Sequence, residues 1–275
     1  VLYPFIALLG LIAIGVAVLA LAVAFAWPTL PSLEALTDYH PKIPLRVYTA
    51  DGELIGEYGE ERRAFIRIQD VPPVLKHAIL AAEDDRFYQH PGVDFAGILR
   101  AAGANLATGS KRQGSSTITM QVARNFFLTR EKTYSRKLYE VLLAFKIEQN
   151  LTKDQILELY LNRVYFGAGT YGVDAASRKY FGHPATEATL FESAMLAGML
   201  KAPSRYSPAA NTERAQARVH QVLLNMVDAG YLKEKDVKPT MANYAKSPSH
   251  TAEGGDVRYF TDWIVDELPN YVGQS

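Results

Sequence analysis

The 275-residue chain carries 29 Lys and Arg against 29 Asp and Glu, so its formal net charge is zero, and it has no cysteine. Its length allows one ordinary domain with an anchor and a remainder, and a hydrophobic content of 48% suffices for a core. The balanced charge gives no reason to expect a nucleic-acid partner. The lack of cysteine excludes a disulfide framework, a thiol nucleophile and a zinc site with cysteine ligands.

The first 27 residues contain no charged side chain. As a helix rising about 1.5 Å per residue, this stretch is long enough to cross the roughly 30 Å of a bilayer core. It ends at Trp27 and Pro28, an interfacial aromatic and a helix terminator, with no clear signal-peptide cleavage site. We therefore predict an uncleaved transmembrane anchor over 1–27, with a signal peptide as the alternative.

A short spacer rich in proline follows the anchor, and a β-hairpin comes after it. Residues 45–50 and 53–58 alternate around Asp51-Gly52, which is a strong hairpin signal. Beyond the hairpin the pattern is helical to about 238, and after Pro239 the chain turns polar and loop-like. We thus predict an anchor over 1–27, the spacer and hairpin over 28–57, a mainly α domain over 58–238, and a linker over 239–275.

Several helices of this domain carry a start signal or an amphipathic period. They are a helix opened by Pro72-Pro73 and ending near Glu83, one over 154–162 with a capping box of Thr152 and Gln155, one over 191–201 with a capping box of Thr189 and Glu192, and an amphipathic helix over 214–229.

An acidic cluster stands where the first of these helices ends. Glu83 follows an apolar run, so it lies at the negative end of a helix dipole. With partial burial, a carboxylate in that position is a better base near neutral pH. The alternative is a set of exposed acids paired with Arg86. His90 lies in a His-Pro-Gly turn, where a lone histidine is more often structural than catalytic.

A basic segment follows, with eight Lys and Arg against two acids between Arg100 and Glu140. Within it, the run 114–121 (Gly-Ser-Ser-Thr-Ile-Thr-Met-Gln) is dense in hydroxyl groups for a helix start, which suits an anion. Plain N-capping by Ser115 or Ser116 is the alternative. Arg136 and Glu140 are one helical turn apart, which indicates either a surface ion pair or a carboxylate that orients a cation, a metal or a substrate amide.

Other known motifs have little support. The run 167–172 matches the glycine spacing of a dinucleotide-binding loop, but a capped helix precedes it instead of the strand of a βαβ unit. Ser-x-x-Lys, His-Glu-x-x-His and Walker sequences do not occur. Serine acylation, zinc-protease chemistry and P-loop phosphoryl transfer therefore have no visible basis.

Together these segments resemble the glycosyltransferase family 51 domain of class A penicillin-binding proteins, most closely the 1A type. The similarity covers 45–232, about two-thirds of the chain. Five motifs of that family occur in order: Glu83-Asp84 with Phe87, His90 and Gly92; the run 114–121 with Asn125; Arg136-Lys137 with Glu140; 158–162 with Phe166-Gly167; and 194–198 with 201–203. Met120 departs from the pattern, because the family usually has a glutamine there.

The resemblance implies a mainly α, lysozyme-like glycosyltransferase fold with a small N-terminal β-hairpin and an N-terminal transmembrane helix. It implies that lipid II is polymerised into β-1,4 glycan strands with inversion and release of undecaprenyl diphosphate. Glu83 and Glu140 would be the catalytic carboxylates, Glu83 as the base and Glu140 as support for the cations. The implied substrate-binding residues are Asp84, Phe87, His90, Gly114, Ser116, Thr117, Gln121, Arg124, Asn125, Lys132, Arg136, Lys137, Asn162 and Lys201.

The resemblance also implies the setting of the reaction. The chain would be a single-pass protein of the cytoplasmic (inner) membrane, with its catalytic domain on the outer, periplasmic side. Partners would be lipid II, the growing glycan strand, the membrane, phosphoglycolipid inhibitors of the moenomycin type and other cell-wall synthesis proteins, with no nucleic acid. Mg²⁺ or another divalent cation is a candidate cofactor, the metal ligands are unknown, and no organic cofactor is expected.

Two rival functions remain at this point. A membrane-anchored lysozyme-like enzyme that cleaves peptidoglycan would also use a glutamate at a helix end, but it has no need of a cation set for a neutral glycosidic bond. A non-enzymatic scaffold would bind anionic lipid through the basic segment and would be indifferent to loss of Glu83.

Overall fold

The computed structural model describes residues 2–37, 45–48, 51, 54–58, 65–100, 116–128, 134–208 and 211–243. The chain divides into two compact units. Unit 1 comprises Val1–Tyr39 and Phe87–Ile156, and unit 2 comprises His40–Arg86 and Leu157–Ser275.

The described residues are mainly helical, which confirms the predicted fold class. In chain order the helices are α1 (Leu2–Ala26), α2 (Glu34–Thr37), α3 (Pro73–Glu83), α4 (described over 95–100), α5 (Ile118–Phe127), α6 (Tyr134–Asn150), α7 (Lys153–Arg163), α8 (Val173–Phe181), α9 (Leu190–Met199), α10 (Pro203–Tyr206), α11 (Thr212–Asp228) and α12 (Val237–Asn243). The strands are β1 (Leu45–Tyr48), β2 (Leu54–Tyr58), β3 (Tyr165–Gly167) and β4 (Thr170–Tyr171).

The core of unit 1 lies between α5 and α6, which pack against each other. Both helices present a buried apolar stripe at helical spacing. The buried side chains include Met120, Val122 and Ala123 on α5, and Leu143, Ala144 and Ile147 on α6. Val93, from the chain before α4, completes a cluster with Met120 and Ala144.

Unit 1 also contains the N-terminal helix and the junction that follows it. Among the described residues, one helix is long and apolar enough to cross a membrane, over Leu9–Thr29. After α1 the chain is joined to α6 by two contacts: the Thr29 and Tyr139 hydroxyls lie 2.9 Å apart, and Lys146 Nζ donates to the Pro31 carbonyl at 2.9 Å. The junction therefore packs on the helix that carries the basic motif.

The core of unit 2 is built around α9, which packs against α3 and α11. Every side chain of α9 after Leu190 is buried, as expected of a helix that is apolar nearly all round. Leu75 and Ile79 of α3 and Val222 of α11 are completely buried in the same unit. This packing fixes α3, the helix that ends at Glu83.

The predicted local signals are largely confirmed. Strands β1 and β2 pair antiparallel, with Leu45 opposite Tyr58. Thr189 and Glu192 form a complete capping box at α9. At α7, the Thr152 N–H donates to Gln155 Oε1 at 2.8 Å, and the Gln155 N–H donates to Thr152 Oγ1 at 3.3 Å.

Two predicted boundaries are wrong. The helix placed at 191–201 runs over Leu190–Met199. The chain was expected to turn loop-like after Pro239, but α12 continues through that proline to Asn243. Pro239 is the third residue of α12, where a backbone N–H has no partner inside the helix, so the missing donor costs little. The limits of the four predicted parts of the chain stay a prediction.

The glycine-rich run 167–172 is a tight antiparallel turn between β3 and β4. Gly167, Gly169 and Gly172 have φ of 93°, 71° and 87°, values that side-chain-bearing residues rarely adopt. The glycines therefore serve the turn, in line with the sequence-based rejection of a dinucleotide loop.

Candidate active site

The predicted site residues are distributed over both units. Glu83, Asp84, Asn162 and Lys201 belong to unit 2, and Phe87, His90, Ser116, Thr117, Gln121, Arg124, Asn125, Arg136, Lys137 and Glu140 belong to unit 1. Gly114 and Lys132 lie outside the described residues.

Glu83 is the last residue of α3, and its side chain is half-buried. The helix closes just after it, because the Asp84 N–H donates to the Leu80 carbonyl at 2.8 Å. Asn225 of α11 donates to the Ala81 carbonyl at 3.3 Å, which satisfies one of the terminal acceptors. The position combines the negative end of a helix with partial exclusion of water, the two features expected from the sequence for this carboxylate.

The acid beside Glu83 differs from it in exposure. Asp84 is buried, at 7% exposure, whereas Asp85 is exposed. The structure thus contradicts the exposure assumed in the alternative, in which Glu83 and Asp84 are both exposed acids at the helix end.

A buried carboxylate with three cations forms the centre of the basic region in unit 1. Glu140, on α6, is 1% exposed. Arg136 Nε and Lys137 Nζ lie 3.3 Å and 3.1 Å from its oxygens, and Arg124 Nη1 of α5 lies at 4.0 Å. Since three positive side chains surround one negative one, these four keep an excess of positive charge. We call them the Glu140 cluster.

The burial of Glu140 decides between the two interpretations of the Arg136–Glu140 pair. A surface pair would leave both groups in water, where it contributes little. Here the carboxylate is withdrawn and the cations are partly exposed, with Arg124 and Lys137 at 36% and 43%. The arrangement orients cations toward solvent, which suits an anionic ligand.

The start of α5 is capped by Thr117, and not by Ser115 or Ser116 as the plain-capping alternative supposed. Its Oγ1 accepts from the Met120 N–H at 3.2 Å and donates to the Gly92 carbonyl at 2.6 Å. Ser116 Oγ accepts from Lys137 Nζ at 2.8 Å, so this hydroxyl holds a member of the Glu140 cluster. Both hydroxyls are therefore occupied within the protein, and their contact with substrate stays a prediction.

Asn162 has a structural partner for each of its polar atoms. Its Oδ1 accepts from the Ile66 N–H at 2.8 Å, and its Nδ2 donates to the Ile66 and Glu158 carbonyls at 2.8 Å and 2.9 Å. These bonds tie the segment before α3 to α7. Phe87 is likewise fully buried. A substrate contact by Asn162 or Phe87 stays a prediction, as it does for Asp84, His90, Gln121, Asn125 and the exposed Lys201.

Three residues that organise unit 1, namely Thr119, Glu148 and Lys153, are not among the predicted site residues. Glu148 Oε1 accepts from Thr119 Oγ1 at 2.6 Å and from Lys153 Nζ at 2.7 Å. A signal existed for Glu148: it stands eight residues after Glu140, and therefore on the same buried stripe of α6. The partners come from other elements, which no local pattern in the chain identifies.

Two histidines of unit 2 have shifted pKa values. Burial, followed by the nearby Lys76 charge, lowers the pKa of His77, whose ring stacks on Tyr231 at 4.2 Å. Burial works to lower the pKa of His183, but hydrogen bonds to Glu192 and to the Pro184 carbonyl outweigh it and raise that pKa. Neither group belongs to the predicted site.

No metal site is assigned among the described residues, and a divalent cation stays a prediction. Within the described part of the chain, no group of three or more His, Asp and Glu side chains is placed to hold one. Glu140 already pairs with three cations, which makes it a poor ligand for a further positive ion. We derive no step through a metal.

Residues 51–227 match the model of the Transglycosylase family, and this match covers more than half of the chain. The chain is therefore a member of the transglycosylase family, which confirms the identification made from its motifs.

Two similar curated proteins are both named penicillin-binding protein 1A. Penicillin-binding protein 1A of Neisseria gonorrhoeae is 53% identical over 219 residues, covering 80% of this chain and 27% of that protein. Penicillin-binding protein 1A of Escherichia coli K12 is 45% identical over 249 residues, covering 90% of this chain and 29% of that protein. This chain thus spans less than a third of the length of these curated relatives.

A crystal structure of penicillin-binding protein 1A from Haemophilus influenzae is also similar. It is 26% identical with a TM-score of 0.49, and the alignment covers 86% of this chain and 25% of that one.

Proposed function

We propose that this chain is a peptidoglycan glycosyltransferase that polymerises lipid II into β-1,4 glycan strands and releases undecaprenyl diphosphate. The observation that carries the proposal is the Glu140 cluster, in which a buried carboxylate holds three partly exposed cations in place. Membership of the transglycosylase family supports it, as does the name of the relatives.

The proposed chemistry is an inverting displacement. Glu83 takes the proton from the 4-hydroxyl of the acceptor sugar as that oxygen attacks the anomeric carbon of the donor. The bond between this carbon and the diphosphate oxygen breaks, and an α-linked donor becomes a β-linked product. The diphosphate leaves as an anion, so cations stabilise its charge, whereas a hydrolase would use a general acid to protonate its leaving group. Arg124, Arg136 and Lys137 supply them, and Lys132 and Lys201 are further candidates.

The setting is part of the same proposal. The helix over Leu9–Thr29 supports a membrane anchor, and we place it as a single span with the catalytic domain on the outer face of the cytoplasmic membrane. The partly buried Phe126 and Phe127, at the end of α5, are candidates for contact with lipid. A phosphoglycolipid inhibitor and other cell-wall synthesis proteins are proposed partners, and a divalent cation is a proposed assistant without an assigned site.

The substrate separates this function from its rival. A polymerase consumes purified lipid II and leaves isolated sacculi intact, whereas a lysozyme-like hydrolase does the reverse. The experiment supplies the anchored chain with each substrate in parallel and follows the glycan products by size. Cleavage of sacculi without growth of strands from lipid II would contradict the proposal.

The role of Glu83 is tested by Glu83→Gln, which keeps the shape and removes the basicity. A lost general base typically costs about 10²-fold or more in rate, so turnover of lipid II should fall to near background while binding persists. Asp85→Asn is the matched control, because it neutralises an exposed acid two residues away. Retention of more than about a tenth of the wild-type rate in Glu83→Gln would remove Glu83 from the mechanism.

A further inference from the structure

The turn that follows Glu83 is held by a lysine that is not among the predicted site residues. Lys153, the first residue of α7, donates from Nζ to the His90 carbonyl at 2.7 Å. The same ammonium lies 4.4 Å from the centre of the Phe87 ring. One cation therefore contacts both ends of the 87–90 segment, once through a hydrogen bond and once through the ring face.

Lys153 is itself fixed in place by an acid that is largely withdrawn from water. Glu148 Oε1 accepts from Lys153 Nζ at 2.7 Å and from Thr119 Oγ1 at 2.6 Å. The two charged side chains are only 10% and 20% exposed. A pair this withdrawn from water is weakly screened and leaves an uncompensated charge if one partner is removed.

The same turn is tightly packed at Gly92. A Cβ added to Gly92 would lie 3.0 Å from both the Ala144 carbonyl oxygen and Glu148 Cγ. The Gly92 φ of 92° is also one that other residues rarely adopt. With Thr117 donating to the Gly92 carbonyl, the segment 87–92 is held against α5, α6 and α7 along its length.

We propose that Lys153, oriented by Glu148, is a positioning residue for glycosyl transfer. It touches no reacting group; it fixes the chain segment that begins four residues after Glu83 and that carries Phe87 and His90. This inference rests on the proposed function for its effect on rate. The Glu140 cluster is formed without Lys153, so the effect falls on the chemical step and spares diphosphate binding.

The principal variant is Lys153→Met, which keeps the length of the side chain and removes its charge and donors. We expect kcat on lipid II to fall at least about tenfold, because a misplacement of about 1 Å can cost about 10²-fold. KM and the affinity for a phosphoglycolipid inhibitor should stay within about threefold of the wild-type values. Lys153→Arg keeps the charge and should recover most of the rate, and Glu148→Gln should lose an intermediate amount.

A matched control is Lys179→Met in unit 2. Lys179 also donates from Nζ to a backbone carbonyl, that of Ala168 at 2.8 Å, and no predicted site residue shares that contact. Equal losses of kcat in the Lys153 and Lys179 variants would overturn the inference, as would a wild-type kcat in Lys153→Met.

Amide hydrogen exchange provides a readout that does not depend on the reaction. In Lys153→Met, amides of 87–93 should exchange faster, whereas those of α9 should not change. Unchanged exchange at 87–93 overturns the positioning role whatever the enzyme does. If the wild-type chain does not consume lipid II, the proposed function is rejected. Faster exchange at 87–93 in Lys153→Met would still support the positioning of this segment by Lys153, so the two failures are distinguishable.

Discussion

At the scale of the residue, the Glu140 cluster shows how one buried carboxylate organises several cations. A carboxylate at 1% exposure needs charged partners, and it has them on two helices. The cations are longer and reach water, so their charge remains available. Glu140 therefore cancels one of the three positive charges and holds the three cations in a defined arrangement.

Arg136→Gln should weaken binding of lipid II and of a phosphoglycolipid inhibitor together, because both present phosphate to the same cations. We expect a loss of about 1.5–3 kcal/mol, the range of a hydrogen bond to a charged group, measured by titration at two salt concentrations. Arg205→Gln is the control, since Arg205 is an exposed cation of unit 2 outside every motif. If Arg136→Gln leaves both affinities unchanged, the basic region is a solvated surface and not an anion site.

At the scale of the element, local signals in the chain located helix starts well and their distant partners poorly. The capping boxes of α7 and α9 follow from side chains three residues apart, so a pattern of four residues contains the whole interaction. Thr117 was not predicted as the N-cap of α5, because three adjacent hydroxyl residues offer equivalent caps. Its bond to Gly92 selects among them, and that contact joins residues 25 positions apart.

For the candidate site too, the sequence identified residues with a local signal and did not identify contacts between distant parts of the chain. Glu83, Arg136 and Glu140 could be singled out because a helix end and helical spacing mark them in the sequence, and their roles in the reaction stay a prediction. Lys153 and Asn162 could not be placed, since their contacts lie with His90 and Ile66, more than sixty residues away. The chemistry of a residue type limits which side chains are candidates for the site, but tertiary contacts decide which polar side chains are structural.

The start of α9 is expected to respond to pH through His183. Its Nε2 lies 3.0 Å from Oε1 of Glu192, whose other oxygen accepts from the Thr189 N–H of the capping box. Although burial opposes it, the bonds to Glu192 and the Pro184 carbonyl raise the pKa of His183 above its ordinary value. A raised folded-state pKa means that the charged histidine stabilises the fold below its unfolded pKa of about 6.5.

This stabilisation should disappear as the pH rises through the folded-state pKa. Denaturant unfolding of the wild type and His183→Gln, from pH 5 to pH 9, should therefore show a difference that is largest at the acid end and absent at the alkaline end. The effect should be small, since the pair is partly exposed. A difference that grows with pH would contradict the assigned sign.

At the scale of the whole molecule, removal of the anchor should affect one substrate more than the other. Deleting 1–27 should lower the rate on membrane-embedded lipid II more than on a short-chain soluble analogue. Under the proposed function, the anchor would confine the enzyme to the surface that carries lipid II and so raise the effective concentration. The contacts of Thr29 and Pro31 with α6 lie beyond the deletion and remain.

The control replaces the anchor with an unrelated apolar helix of equal length, which should restore the rate on membranes. Rates on both substrates are measured at matched enzyme concentration. Equal fractional losses on both substrates after deletion would show that the anchor supports folding or the site itself, and not membrane confinement.

The joint between the anchor and α6 has a consequence for movement along the membrane. Tyr139 and Lys146 are two helical turns apart, so the chain leaving the anchor is fastened to α6 at two points about 10 Å apart. A free tether would let the attached unit swing through a volume that grows with its length. Under the proposed membrane placement, the basic cluster fastened in this way would travel with the anchor at one height above the lipid headgroups.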